Sequence, residues 1–233
     1  MGLICGMPPK MITTDNVAAT ALQICVQRLS TASEERGSAT FVLSGGSTPL
    51  KLYGLLAESG LPWERIHLFW GDERFVPHDH ADSNYGAARR AMLDGIGIPE
   101  GNVHPWPILD TPEASAEAYS DVLQSTLGLD AEFDVTLLGL GADGHTASLF
   151  PGTGVMRARG LTVASRPAGA SSPRLSLTAT ALSNSRTVLF LVSGEEKRDA
   201  LGALMSESQD SPGEQPARAI SATQELLLLT DLT

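Results

Sequence analysis

The chain has 233 residues, of which 42% are hydrophobic, and its formal net charge is −11. This length and composition are typical of one globular domain with a substantial core. The excess of acidic residues argues against nucleic acid or an anionic membrane as a partner. Apolar stretches stay below the ~18 residues that a membrane-spanning helix needs, and residues 1–11 do not have the pattern of a secretory signal.

The apolar pattern predicts helices and strands that alternate along the chain. Helices are expected at residues 16–36, 49–59, 83–93, 111–127, 179–183 and 195–205. Strands are expected at residues 39–43, 66–70, 133–138, 161–164, 174–177, 187–192 and 225–229. Residues 7–10 give no clear first strand, and residues 206–216 are interpreted as a polar loop.

Such alternation predicts an α/β fold with a mostly parallel, Rossmann-like sheet and helices on both faces. Because the sequence contains neither a repeat nor a linker, we expect a single domain over residues 1–233. The two cysteines, Cys5 and Cys25, are too few for a disulfide framework. Free thiols are typical of a reducing compartment, so the sequence predicts a cytoplasmic protein.

The strand at residues 39–43 is followed by a glycine-rich loop that consists of Ser44, Gly45, Gly46, Ser47 and Thr48. Pro49 suits the first position of a helix, and Thr48 would then be the N-cap. Backbone N–H groups and the helix dipole make such a loop a candidate anion site. An ordinary strand-to-helix turn explains the pattern equally well, and the spacing of a Walker A loop is absent.

The strand at residues 66–70 leads into Asp72, Glu73 and Arg74. These residues are either a surface charge cluster, which is the commoner case, or ligand-holding groups at a strand end. His78 and His80 follow, and their spacing resembles that of metal ligands. A polar surface loop is the simpler interpretation, and we expect no metal.

The strand at residues 133–138 ends in a glycine-rich loop that contains Asp143 and His145. Glycines let a backbone turn sharply and approach a ligand closely. Histidine is suited to proton transfer near neutral pH. Taken alone, this loop is interpreted as a tight turn with a solvated histidine. Because several parallel strands would present such residues at the same edge of a sheet, a binding or catalytic site is favoured.

Lysine is scarce, and Lys197 is one of three in the chain. It follows the strand at residues 187–192 and therefore lies at a fourth strand end. An ammonium group there would be a compact partner for a phosphate. A solvated residue in the first turn of a helix explains its position equally well.

Four segments together closely resemble the 6-phosphogluconolactonase family, which forms a wider group with glucosamine-6-phosphate deaminase/isomerase. They are SGGSTP at residues 44–49, WGDER at 70–74, DSNY at 82–85 and GADGHTASLFP at 141–151. The resemblance implies hydrolysis of 6-phospho-D-glucono-1,5-lactone to 6-phospho-D-gluconate, in the oxidative branch of the pentose phosphate pathway.

For the chemistry, the resemblance implies that His145 is the general base that activates water. Asp143 would orient His145 or hold the loop. Asp72 and Arg74 would lie nearer the sugar, where Arg74 could bind the phosphate, a hydroxyl or the developing oxyanion.

For binding, the resemblance implies a phosphate site that is made of Ser44, Gly45, Gly46, Ser47, Thr48, Arg174 and Lys197. No cofactor is implied, and the expected partner is the sugar phosphate substrate. We expect a monomer or a small homo-oligomer.

Two alternative functions belong to other classes. A glucosamine-6-phosphate deaminase/isomerase would carry a catalytic Glu before the proline that closes the Asp-Gly-His loop, where this chain has Phe150. A non-enzymatic sugar-phosphate sensor would generally carry a DNA-binding module, and the sequence has no such segment or basic patch.

Overall fold

The computed structural model describes residues 8–128, 132–206 and 214–233. The helices are α1 (Val17–Arg36), α2 (Ser47–Ala57), α3 (Asn84–Ala91), α4 (Pro112–Leu127), α5 (Ala179–Ser183) and α6 (Arg198–Met205). The strands are β1 (Lys10–Thr13), β2 (Ala39–Leu43), β3 (Ile66–Trp70), β4 (Asp72–Arg74), β5 (Val103–His104), β6 (Phe133–Gly139), β7 (Thr162–Ser165), β8 (Arg174–Leu177), β9 (Ser185–Val192) and β10 (Glu225–Thr230). Among these residues, no helix combines the length and the apolar character that crossing a membrane requires.

Seven parallel strands form the central sheet in the order β1-β10-β9-β6-β2-β3-β5. Strands β2, β6 and β9 are nearly continuous buried runs, as expected for a parallel sheet that is flanked by helices. Helix α1 packs on β2, β6 and β9, and it also contacts α2. The predicted single α/β domain with a mostly parallel sheet is therefore confirmed.

A second, smaller sheet was not predicted from the sequence. Strands β4, β8 and β7 pair antiparallel in that order, and α4 packs against β7 and β8. Gly71 joins the two sheets, because its N–H donates to Leu43 O at 2.9 Å and its carbonyl accepts from Leu177 N at 2.8 Å. The residues from 72 to 74 therefore turn away from the central sheet immediately after β3.

The structure contradicts the N-cap that the sequence predicted for α2 and shows side-chain caps on two other helices. Ser83 and Thr111 accept hydrogen bonds from backbone N–H groups at the starts of α3 and α4. Thr48 is not the cap of α2, since that helix begins at Ser47 and Gly46 occupies the N-cap position with a φ of 109°. Pro49 then lies within the first turn, where its missing N–H would have no helical partner.

The ends of the chain differ from the sequence-based interpretation in detail. Strand β1 forms an edge of the sheet beside β10, although residues 7–10 gave no clear strand pattern. The two-residue strand β5 was also missed. Residues 195–197 form a 3-10 turn before α6, instead of the start of an α-helix. Cys25 is buried and free, whereas Cys5 and most of the predicted polar loop lie outside the described residues.

Candidate functional site

A cleft of about 490 Å³ lies at the carboxyl ends of β2, β6 and β9. Ligands of open α/β sheets bind at this edge. The cleft brings together all the sequence-predicted site residues except Asp143, which contacts one of them. The lining members are Ser44, Gly45, Gly46, Ser47, Thr48, Asp72, Arg74, His145, Arg174 and Lys197.

The glycine-rich loop after β2 is held by a buried tyrosine. Tyr53 Oη donates to Ser44 O at 2.6 Å and accepts from Ser44 N at 2.8 Å. Gly45 packs against Asn84 so closely that a Cβ at this position would lie 2.0 Å from Asn84 Oδ1. The residues at the start of α2 that line the cleft are therefore held in place, and the backbone N–H groups of a helix start favour an anion.

His145 is tied to Asp143 within the loop after β6. Nδ1 of the imidazole lies 2.5 Å from Asp143 Oδ1, and the backbone N–H of His145 donates to the same oxygen at 3.2 Å. Burial raises the pKa of Asp143, but the hydrogen bonds from His145 outweigh it and lower the pKa overall. Since an ionised carboxylate only accepts hydrogen bonds, Nδ1 is the donor in this contact, and Nε2 is the ring nitrogen left for a proton from another group.

Glycines in this loop make room for the Asp143–His145 pair. A Cβ on Gly141 would lie 2.0 Å from Nδ1 of His145 and 2.6 Å from Asp143 Oδ1. Gly144 has a φ of +81°, and Gln215 packs against it at the position that a Cβ would occupy. Backbone geometry, and not only hydrogen bonding, therefore fixes the pair.

The same loop carries two further features that the sequence did not predict. Ala147 lines the cleft with a φ of 46°, a conformation that is uncommon for any residue except glycine. The ring of Phe150 stacks on the His145 imidazole, with centroids 4.4 Å apart and planes inclined by 27°.

Asp72 joins the loop after β6 to the start of α3. Its Oδ2 accepts from Ser148 Oγ at 2.7 Å, and its Oδ1 and backbone carbonyl accept from Asn84 Nδ2 at 3.2 and 2.9 Å. Asn84 Oδ1 in turn accepts from Arg74 at 2.8 Å, and Arg74 also donates to Asp82 O. Asn84 and Ser148 both line the cleft, and sequence reasoning did not select them although both lie in the segments that carried the resemblance.

Glu73 does not point into the cleft with Asp72. Its buried carboxylate accepts hydrogen bonds from the backbone N–H groups of Arg74, Asn84 and Tyr85 and from Ser83 Oγ, at 2.7–3.0 Å. Burial raises the pKa of Glu73, and the three N–H donors oppose that effect. Glu73 thus anchors the start of α3, which holds Asn84 in place.

Two arginines are paired on neighbouring strands of the small sheet. Arg74 and Arg174 are paired residues of β4 and β8, and both line the cleft. Burial and the neighbouring Arg74 charge lower the pKa of Arg174, although a guanidinium remains protonated at any ordinary pH. Arg174 also donates to Ser172 O and Ser172 Oγ at 2.8 and 2.7 Å.

Lys197 reaches the cleft from the turn after β9. Asp231 accepts hydrogen bonds from Ser193 Oγ and from Gly194 N, and so holds the beginning of that turn. Hydrogen bonding to Ser193 is the main reason that the pKa of Asp231 is lowered. Glu196 also lines the cleft. The cleft is therefore lined by three cationic side chains, Arg74, Arg174 and Lys197, and by two carboxylates, Asp72 and Glu196.

The two loop histidines have structural contacts. His78 Nε2 lies 2.9 Å from Trp106 O, and the ring packs on Tyr85. His80 Nδ1 accepts from Asp82 N at 3.1 Å. In the part of the chain that the structure describes, no cluster of three or more His, Cys, Asp or Glu side chains is arranged to hold a metal ion.

The architecture places this chain among α/β proteins whose ligand cleft lies at the carboxyl edge of a parallel sheet. Residues 12–229 match the model of the family of glucosamine-6-phosphate isomerases/6-phosphogluconolactonase. The chain belongs to this family, which confirms the resemblance that the four sequence segments indicated.

Individual relatives named 6-phosphogluconolactonase match nearly the whole length of this chain. A 6-phosphogluconolactonase of Synechocystis is 45% identical over 216 residues, which cover 89% of this chain and 88% of that protein. A 6-phosphogluconolactonase of Mycobacterium tuberculosis is 36% identical over 94% of this chain and 92% of that protein. The crystal structure of 6-phosphogluconolactonase from Thermotoga maritima superposes with a TM-score of 0.86 at 31% identity, covering 97% of this chain and 99% of that one.

Proposed function

We propose that this protein is an enzyme that hydrolyses 6-phospho-D-glucono-1,5-lactone to 6-phospho-D-gluconate, with His145 as the general base. The observation that carries the proposal is the Asp143–His145 pair at the wall of a cleft that also contains a helix N-terminus and three cationic side chains. Relatives that bear the name 6-phosphogluconolactonase match almost the full length of the chain.

The proposed reaction begins with proton transfer to the free ring nitrogen. Nε2 of His145 takes a proton from water as the water oxygen forms a bond to C1 of the lactone, and the carbonyl oxygen becomes an oxyanion. Asp143 stabilises the resulting imidazolium through the hydrogen bond to Nδ1. A positioned general base typically contributes ~10²–10⁴-fold to the rate.

Collapse of the intermediate completes the hydrolysis. The bond between C1 and the ring oxygen breaks, and the imidazolium returns its proton to the departing alkoxide. The products are a free hydroxyl and a carboxylic acid that ionises in water. No covalent enzyme intermediate is required.

The substrate phosphate is proposed to bind the loop Ser44 to Thr48, Arg174 and Lys197. Backbone N–H groups at a helix start, a planar guanidinium and a compact ammonium complement one another around a dianion. Such a local cluster is needed because the protein as a whole carries a net charge of −11. Arg74 is paired with Arg174, and its Nη1 donates to Asp82 and Asn84. Its Nε and Nη2 groups are proposed to serve a phosphate oxygen, a sugar hydroxyl or the oxyanion.

Phe150 argues against a deaminase. Its hydrocarbon ring occupies the position where the deaminase/isomerase resemblance would require a carboxylate, and it cannot transfer a proton.

Freshly prepared 6-phosphogluconolactone should release acid in the presence of the protein much faster than it does spontaneously. Ammonia release from glucosamine 6-phosphate at a comparable rate would overturn the proposal. A cytoplasmic location and a monomeric or small oligomeric state stay predictions from the sequence.

A further inference from the structure

Phe150 contacts the proposed base and has no polar group with which to take part in the reaction. Its ring lies 4.4 Å from the His145 imidazole, centroid to centroid, at an angle of 27°. The intervening backbone is folded tightly, because Leu149 N donates to Thr146 O at 2.9 Å. Thr153 Oγ1 donates to Phe150 O at 2.7 Å from the other side. The two rings are therefore held together by a rigid loop.

The hydrogen bond to Asp143 does not by itself fix the plane of the imidazole. One bond at Nδ1 leaves the ring free to pivot about that point, and pivoting moves Nε2 most because it is the more distant nitrogen. The edge formed by Nδ1 and Cε1 occupies the position that a Cβ of Gly141 would take, so this edge packs against the Gly141 backbone. The face of the ring is limited by Phe150, and stacked aromatic pairs prefer a narrow range of geometries.

We propose that Phe150 is a positioning residue that sets the plane of the His145 ring and thereby aims Nε2 at the reacting water. It also covers one face of an imidazole whose side chain is 31% exposed, which reduces competition from bulk water. This inference rests on the proposed function, since it assigns Nε2 the role of base.

Kinetics separate positioning from substrate binding. Replacing Phe150 by Leu keeps an apolar side chain but removes the flat ring. Because small misplacements of a catalytic group cost up to about 10²-fold, we expect kcat of Phe150→Leu to fall roughly 10- to 100-fold. KM should stay within about threefold, since the phosphate contacts lie elsewhere. Phe150→Tyr retains the ring and should recover most of the rate.

A double substitution tests whether the effect passes through His145. In a His145→Ala background, adding Phe150→Leu should change the residual enzymatic rate by less than about twofold, because no ring remains to be positioned. If Phe150→Leu slowed the His145→Ala protein as much as it slows the wild type, Phe150 would act on the substrate or the fold, and the proposal would be wrong. A rise in KM that accounts for the whole loss would also overturn it.

An NMR measurement without substrate keeps this inference separate from the proposed function. The ¹⁵N and ¹³Cε1 resonances of the His145 ring, assigned with His145→Ala, report its tautomer and environment. We expect one set of ring signals in the wild type and in Phe150→Tyr, and broadened or doubled signals in Phe150→Leu. Unchanged ring signals in Phe150→Leu would contradict positioning even if the protein is a lactonase. Absence of lactone hydrolysis by the wild type would instead overturn the proposed function.

Discussion

Arg74 and Arg174 lie directly opposite each other in the antiparallel pair formed by β4 and β8, and both side chains line the cleft. Two like charges at paired positions repel each other unless an anion lies between or beside them. Asp72, Asp82 and Glu73 offset part of this repulsion at Arg174. The paired arginines favour the proposed binding of a dianionic group at this part of the cleft. Their pairing also leaves the role of Arg74 as an experimental question.

Comparison of two lactones should answer the question about Arg74. If Arg74 binds the phosphate, Arg74→Ala lowers kcat/KM for 6-phosphogluconolactone and hardly changes that for unphosphorylated gluconolactone. Arg174→Ala serves as the reference, because we expect it to show this selective loss. If Arg74→Ala instead lowered kcat/KM equally for both lactones, the Arg74 guanidinium would act at the reacting end of the sugar.

Lys197→Ala should weaken binding of the phosphorylated substrate. A hydrogen bond to a charged group contributes about 1.5–3 kcal/mol, which corresponds to a loss of roughly 10- to 100-fold in kcat/KM. Calorimetric titration with 6-phosphogluconate measures the same loss at equilibrium. Lys10→Ala is a suitable control, because Lys10 lies on the edge strand β1 and not in the cleft. Equal penalties on both lactones would be inconsistent with a phosphate contact.

His145→Ala should abolish most of the enzymatic rate and preserve binding. We expect kcat to fall by about 10²–10⁴-fold, because the water loses its base. Affinity for 6-phosphogluconate should change little, and the melting temperature should stay close to that of the wild type. A folded His145→Ala protein with a rate within a few-fold of the wild type would rule out the general-base assignment.

Gly45→Ala should damage the site through a steric clash. The added methyl group would lie 2.0 Å from Asn84 Oδ1, so Asn84 must move and lose its bonds to Asp72 and Arg74. We expect a destabilisation of about 1–3 kcal/mol in urea unfolding, together with a large loss of activity.

The control for that substitution lies in the same helix-and-loop segment. A Cβ on Gly54 in α2 would meet no heavy atom of the described residues within 4 Å. Gly54→Ala should therefore stabilise the helix by up to about 1 kcal/mol and leave activity unchanged. Equal behaviour of the two variants would show that Gly45 is not tightly packed.

The stability of the fold should depend on pH through a histidine pair at the sheet edge. His67 Nδ1 lies 3.1 Å from His104 Nε2, and His104 stacks on Phe69. Burial, with a smaller contribution from His67, lowers the pKa of His104 from 6.5 to about 4, and burial lowers that of His67. Since the unfolded chain binds these protons first, the free energy of unfolding should decrease as the pH falls from about 6.5 to 4.

Urea unfolding at several pH values between 4 and 7 measures this dependence. His104→Phe keeps a ring against Phe69 but removes the titrating group, so its stability should vary less with pH across that window. Identical slopes for the wild type and His104→Phe would mean that the pair does not control acid stability.

Five strands of the central sheet, β2, β3, β6, β9 and β10, were predictable because they are largely buried apolar runs of ordinary length. The edge strands β1 and β5 were not, because β1 is mostly exposed and β5 has two residues. The small sheet was not, since β4 has three residues and pairs with β8 about a hundred positions later. Because successive side chains of a strand point to opposite faces, the sequence could nevertheless have indicated that Glu73 points away from Asp72 and Arg74. The sequence contained the segment around Asn84, but nothing in it indicated where that amide would point.

The attachment of the small sheet through Gly71 has a consequence for local stability. The proposed phosphate contacts come from both sheets, with Arg174 on the small one and the loop after β2 on the large one. A bound dianion would therefore link the two sheets, and it would stabilise the folded state by mass action. Native-state hydrogen exchange in β7 and β8 should slow when 6-phosphogluconate is added, and by more than exchange in the distant edge strand β1.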